Sequence, residues 1–150
     1  MIQRIQSVYL LVVTILIIIC LCSPVGSYIG SDYSVSALTN LCLTMADGTK
    51  DYAPWALFVI LLVVAVLAFG TIFLFKKRML QIRLTIFSTI LLIGYYATLV
   101  TFIFMLKEAY MTFSHSWTVC LPLVAIILNW LAIRAIGKDE VLVKAYDRLR

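Results

Sequence analysis

Four long runs of apolar residues divide this chain, and polar segments separate the runs. They cover residues 5–22, 54–75, 84–106 and 117–136. A helix needs about 20 mostly apolar residues to cross the hydrocarbon core of a bilayer, so each run can span it. The pattern therefore predicts an all-α membrane protein in which residues 1–150 form one domain, a four-helix transmembrane bundle.

The longest polar segment, residues 23–53, follows the first run. Pro24 and Gly26 predict the end of the first helix. Residues 33–38 alternate polar and apolar side chains, as a strand does, and Asp47-Gly48 predicts a tight turn with a positive φ angle. We therefore expect a small β-hairpin or sheet between helices 1 and 2, with the pairing of its strands left open.

The first run has a second interpretation, as a cleaved signal peptide. Such a peptide has small residues before its cleavage site, whereas Cys20-Leu21-Cys22 precede Ser23 here. Counted from Ile5, the run is also long enough to span a bilayer. We therefore expect it to be retained as the first transmembrane helix.

The positive charges are sorted along the chain. Of the twelve lysines and arginines, only Lys50 and Lys107 fall in the segments after the first and third runs. Cations concentrate on the cytoplasmic side of membrane proteins, so both termini and the turn Lys76-Lys77-Arg78 are predicted to be cytoplasmic. The net charge of +5 is thus explained by the orientation of the chain in a lipid membrane. Membrane lipids are its expected surroundings, and the charge predicts no nucleic-acid partner. A charged fraction of 13% also excludes an ordinary soluble domain.

Polar side chains within the runs indicate helix packing. Small and hydroxyl residues such as Gly94 and Thr98 allow close approach of neighbouring helices in the third run. Asn129, in the fourth run, is predicted to hydrogen-bond inside the bundle. The runs carry no buried acids or charge pairs of the kind that mark ion pathways, and no motif indicates a cofactor or a metal site.

Residues 137–150 predict a cytoplasmic helix that continues the fourth run. Glu140 and Lys144 have the spacing of a favourable ion pair. The tail's nearly balanced charge is too small for a lipid-binding polybasic patch. We therefore expect the apolar stripe along one side of this helix to bind a partner protein or the inner loop, which is the predicted cytoplasmic turn between the second and third runs. The predicted contact residues are Leu142, Tyr146, Leu149, Lys138 and Arg148.

All four cysteines fall on the predicted outer side. A structural disulfide from Cys42 to Cys20, Cys22 or Cys120 fits these positions, and the sequence leaves the pair open. The placement also resembles that of quinone-linked, disulfide-forming membrane enzymes. However, the Cys-x-x-Cys motif is absent, and Cys20 and Cys22 point about 200° apart on a helix.

The two ends of the chain resemble those of a known family. The matching segments are Met1-Ile-Gln-Arg-Ile-Gln, Asn129-Trp-Leu-Ala, Arg134-Ala-Ile, Lys138-Asp-Glu, Leu142-Val and Asp147-Arg-Leu-Arg. They resemble a family of small four-span membrane proteins of the Bacteroidetes, catalogued as a domain of unknown function. The resemblance implies an inner-membrane location in a Gram-negative cell and implies no reaction.

These observations favour a non-enzymatic inner-membrane protein. We expect an accessory or scaffold subunit of a membrane complex, acting through its cytoplasmic ends on another membrane or cytoplasmic protein or on a second copy of itself. Two alternatives stay open: a membrane thiol–disulfide oxidoreductase that uses the outer cysteines, and a small transporter or channel component.

Overall fold

The computed structural model describes residues 2–107 and 112–150, and within them it contains four long helices and a small sheet. The helices are α1 (Ile2–Cys22), α2 (Trp55–Phe73), α3 (Arg78–Lys107) and α4 (Cys120–Arg148). Each of these four is long and apolar enough to cross a membrane. The predicted four apolar helices with a small sheet are therefore confirmed, although α3 begins six residues before the apolar run that predicted it.

The helices pack in a ring, with α1 against α2 and α4, and α3 against α2 and α4. Buried residues recur every three or four positions, as Leu57, Leu61, Val64 and Ala68 do on α2. The large apolar side chains on the other faces, such as Val66 and Phe104, are exposed. An apolar exterior around the whole bundle is typical of helices that lie in lipid.

The sheet has five antiparallel strands in the order β4-β3-β2-β1-β5. They are β1 (Pro24–Ile29), β2 (Val35–Thr39), β3 (Leu43–Thr44), β4 (Lys50–Asp51) and β5 (Thr112–His115). The sequence placed the whole sheet between helices 1 and 2, and this was wrong for β5. That strand comes from the segment between α3 and α4, of which residues 108–111 lie outside the described residues.

Strand β5 lies close against β1. A Cβ atom on Gly26 would lie 2.6 Å from the backbone oxygen of Ser114, so glycine is required for this approach. Tyr28 stacks on Phe113 with ring centroids 4.7 Å apart. Burial raises the pKa of Tyr28 to about 12, so the phenol stays neutral at physiological pH.

Two hairpin loops in the sheet share one backbone arrangement. In the β3–β4 loop the amide of Gly48 donates to the oxygen of Met45, and Gly48 has a φ of +82°. This confirms the turn predicted at Asp47-Gly48. In the β1–β2 loop the amide of Tyr33 donates to the oxygen of Gly30, and Tyr33 has a φ of +59°. A tyrosine therefore occupies a conformation that favours glycine.

The bundle has two chemically different ends. The sheet covers one end, which we call the sheet end. The start of α1, the turn 74–77 and the last third of α4 lie together at the other, which we call the basic end. Two contacts define it: Gln6 Nε2 donates to the oxygen of Ala135 at 3.1 Å, and Arg78 pairs with Asp139.

Candidate functional site at the basic end of the bundle

The predicted tail helix is a direct continuation of the fourth helix. Helix α4 runs without a break to Arg148, and its last buried residues are Ile136 and Asp139. Residues 141–150 are all exposed. At a rise of about 1.5 Å per residue, the exposed part extends roughly 15 Å past the last packed turn.

The predicted contact residues lie on this extension and are uncovered. Leu142, Tyr146 and Leu149 are 49%, 73% and 85% exposed. Lys138 and Arg148 are exposed as well. The apolar stripe therefore does not pack on the α2–α3 turn, which was one of the two contacts expected for it, and it is available to another molecule.

An ion pair holds the helix one turn before the stripe, on the same face of α4. Arg78, the first residue of α3, places Nη2 3.3 Å from Asp139 Oδ2 and donates from Nη1 to the Asp139 backbone oxygen at 3.3 Å. Both side chains are largely buried. The ion pair with the carboxylate and the hydrogen bond to the backbone oxygen together fix the direction of the tail.

Sequence reasoning missed this ion pair, although a signal for it exists. The buried positions of α4 are Pro122, Ala125, Asn129, Ala132, Ile136 and Asp139, which follow one another at spacings of three or four. Extending the core face by one more step therefore reaches a carboxylate. A carboxylate that continues a core face requires a cation from a neighbouring helix.

The spacing of Glu140 and Lys144 predicted a second ion pair, and it forms. Lys144 Nζ lies 3.0 Å from Glu140 Oε1. This confirms the expected pair and neutralises one cation on the side of the tail that faces the α2–α3 turn.

The turn and the tail line an open groove of about 900 Å³. Among the described residues, three cations that line it, Lys76, Lys77 and Arg83, take part in no ion pair. The sequence could not show this grouping, because it depends on how α4 packs beside the start of α3. The basic end therefore presents an apolar stripe on one side of the tail and a cationic groove on another.

A comparison with known protein families assigns this chain to one of them. The sequence model of the family described as Domain of unknown function (DUF4293) matches residues 2–149, from the first turn of α1 to the end of the tail. The chain belongs to this family. The resemblance to a domain-of-unknown-function family, predicted from the two chain ends, is confirmed at that level. A comparison with curated proteins found no match.

In this DUF4293 chain, the bundle interior near the basic end is polar. Asn129 is fully buried, and its Nδ2 donates to Ser88 Oγ at 3.4 Å. Its Oδ1 has no hydrogen-bond partner among the described residues. The neighbouring Thr85 hydroxyl donates to the oxygen of Gln81 at 2.8 Å. The predicted position of Asn129 inside the bundle thus corresponds to a polar contact between α3 and α4.

The four cysteines of the DUF4293 chain are free thiols in this structure. Cys20 is buried and lies 3.8 Å from the backbone oxygen of Thr118, whereas Cys22 is exposed. Cys42 is buried, with its sulfur 3.6 Å from Thr39 Oγ1, and Cys120 is exposed. The pairing of Cys42 stays a prediction. Among residues 2–107 and 112–150, no group of His, Cys, Asp and Glu is arranged to hold a metal ion.

A buried asparagine joins the sheet to the bundle at the sheet end. Asn40, between β2 and β3, donates from Nδ2 to the oxygen of Cys20 at 2.7 Å. Its Oδ1 accepts a hydrogen bond of 2.8 Å from the hydroxyl of Tyr95. One side chain therefore connects the end of α1, the sheet and α3. The sequence offered no signal for this role, since Asn40 looks like an ordinary loop residue.

Proposed function

We propose that this DUF4293 member is a non-enzymatic, multi-pass protein of the inner membrane of a Gram-negative bacterium of the Bacteroidetes, with both termini in the cytoplasm. It acts as an accessory or scaffold subunit of a membrane complex. The observation that carries the proposal is the uncovered stripe of Leu142, Tyr146 and Leu149 on a tail that an ion pair holds in place.

The orientation is supported by the charge distribution. The segments that meet at the basic end carry ten of the twelve lysines and arginines, and such residues concentrate on the cytoplasmic side. The apolar exterior of the four helices favours a surrounding bilayer. In this orientation the tail projects into the cytoplasm and the sheet lies outside.

The binding mode is a helix that inserts one face into an apolar groove of the partner. Burying a leucine or tyrosine contributes about 1.5–3 kcal/mol, so three together contribute roughly 5–9 kcal/mol before the costs of association. A helix already formed and fixed at Asp139 has little conformational entropy left to lose on binding. Lys138 and Arg148 beside the stripe then set the register of the complex.

The test is site-specific photocrosslinking in living cells of the native host. A photoreactive amino acid replaces Tyr146 in the full-length chain, and in a matched variant it replaces Val141, which is similarly exposed on another side of the tail. We expect position 146 to crosslink reproducibly to one protein, and position 141 to give no crosslink to that protein. Equal products from both positions, or none from position 146, would contradict the proposal.

The orientation has its own test. A reporter enzyme that is active only outside the cytoplasm, fused after Arg150, should be inactive. The same reporter inserted in the β3–β4 loop, next to Gly48, should be active. The reverse pattern would refute the orientation. It would not test partner binding by the stripe, so the reporter fusions and the photocrosslinking are both needed.

A further inference from the structure

The cationic groove at the basic end has the properties of a binding site for a phosphate group attached to an apolar molecule. It lies between the turn 74–77, the first turn of α3 and the tail. Its polar lining contains five cations and two carboxylates, namely Lys76, Lys77, Arg78, Arg83, Lys144, Glu140 and Asp147.

The groove keeps an excess of positive charge after its ion pairs are counted. Arg78 is paired with Asp139, and Lys144 is paired with Glu140. Among the described residues, Lys76, Lys77 and Arg83 have no carboxylate partner, and a single unpaired acid, Asp147, faces them. A concave site with this balance attracts anions.

The start of α3 adds backbone donors to the same wall. Residues 78–80 line the groove and form the first turn of the helix, where amide groups have no helical acceptor. This turn contains no acidic residue that would compensate the positive end of the helix dipole. Phosphate oxygens are well suited to such amides when cations stand beside them.

The remaining wall is apolar, and this decides the kind of phosphate. Phe75, Met79, Leu80 and Val143 line the groove and are each 41–51% exposed. Phe75, Met79 and Leu80 lie where the apolar surfaces of α2 and α3 end, at the level expected for the headgroups of a surrounding bilayer, and Val143 faces them from the tail. Cations next to exposed apolar side chains suit a molecule with an anionic head and acyl chains.

We propose that this groove binds the headgroup of an anionic glycerophospholipid from the cytoplasmic leaflet. Lys76, Lys77 and Arg83 contact the phosphate, and the apolar wall contacts the start of the acyl chains. The tail alone has too few cations for such a site, as its sequence indicated. The fold supplies the missing charge by placing the turn beside the tail.

Native mass spectrometry of the full-length chain, released from detergent with defined lipid, tests this site. The lipids are phosphatidylglycerol and phosphatidylcholine, which share acyl chains and differ in charge. The test variant carries Lys76→Gln, Lys77→Gln and Arg83→Gln. The matched control carries Lys138→Gln, Arg148→Gln and Arg150→Gln, which removes the same charge from the same end but from outside the groove.

We expect the unchanged chain to retain phosphatidylglycerol over phosphatidylcholine. The groove variant should bind phosphatidylglycerol on the order of 100-fold more weakly, since each of the three basic residues contributes roughly fivefold at an anionic membrane surface. The control should stay within about threefold. A variant with Lys76→Arg, Lys77→Arg and Arg83→Lys keeps the charge and should keep the binding, which separates loss of the site from loss of the fold.

Three results would overturn the proposal. The unchanged chain could bind both lipids equally, or the groove variant and the control could lose the same affinity, which would indicate unspecific attraction. Alternatively, inorganic phosphate or glycerol 3-phosphate could displace phosphatidylglycerol at similar concentrations. That result would identify a site for a soluble phosphate and would exclude a lipid site.

Discussion

Asn40 is the residue whose removal should most directly separate the sheet from the bundle. The side chain is fully buried and makes two hydrogen bonds, to the backbone oxygen of Cys20 and from the hydroxyl of Tyr95. The substitution Asn40→Ala removes both bonds: the Cys20 oxygen keeps only the longer bond of 3.4 Å from the Ser23 amide, and the Tyr95 hydroxyl loses its acceptor. We therefore expect a large loss of stability at the sheet end.

The magnitude is bounded by the case in which both groups lose every hydrogen-bond partner. Leaving one buried polar group unsatisfied costs about 1–3 kcal/mol, so the pair costs roughly 2–6 kcal/mol. A water molecule that enters the space left by the amide lowers the cost, so the expected loss is about 3 kcal/mol. This corresponds to an increase on the order of 100-fold in the equilibrium constant for opening of the sheet end.

The Cys20 thiol provides the assay, because it is only 1% exposed and lies directly beside the network. In a background with Cys22→Ser, Cys42→Ser and Cys120→Ser, a thiol reagent can react at Cys20 alone. When reclosing is faster than labelling, the labelling rate reports the opening equilibrium. Asn40→Ala should therefore raise the rate on the order of 100-fold in detergent micelles.

The chain offers a matched control in its second asparagine. Asn129 is equally buried but lies toward the basic end and makes a single long hydrogen bond, so Asn129→Ala should leave labelling of Cys20 nearly unchanged. Tyr95→Phe removes one of the two bonds of Asn40, and its effect should not add to that of Asn40→Ala. Two results would refute the assigned role of this network. Cys20 of the Asn40→Ala variant could be labelled at the same rate as in the unchanged chain, or the effects of the two substitutions on that rate could be additive.

Three further predictions concern thermal unfolding of the full-length chain in detergent. Gly26→Ala should lower the free energy of unfolding by about 1–3 kcal/mol, because the new methyl group meets the backbone oxygen of Ser114. Tyr33→Gly should raise it by about 0.5–1 kcal/mol, since it relieves a left-handed backbone conformation. Arg78→Ala should lower it by about 1–3 kcal/mol, and adding Asp139→Asn should recover part of that loss because the stranded charge is removed.

Each of these predictions has an internal comparison. Gly70→Ala places a methyl group in open space on α2, so it should be neutral or stabilising, and a loss equal to that of Gly26→Ala would contradict the close approach of β5. Gly48→Ala, at the equivalent position of the other hairpin, should destabilise; a gain there would contradict the strain assigned to Tyr33. If Asp139→Asn worsens the Arg78→Ala variant, the carboxylate has another partner.

The elements predicted correctly are those whose signal is local. The four helices follow from run length, and the Asp47-Gly48 turn follows from residue type, because both depend on neighbours in the chain. Strand β1 was missed because Pro24 and Gly26 indicate an irregular segment, and β5 because four residues carry too little periodicity. The cationic groove and the Asn40 network depend on residues distant in the chain, which no local pattern reports.

The position of β5 in the chain has a consequence for synthesis. Strand β1 pairs with β2 on one side and with β5 on the other, and β5 begins at Thr112 of 150 residues. A growing chain therefore carries β1 with one open edge until about three-quarters of it has been made. An open edge pairs readily with a strand from another chain. Two nascent copies held near each other can thus exchange β5, and each would then complete the other's sheet in a domain-swapped dimer.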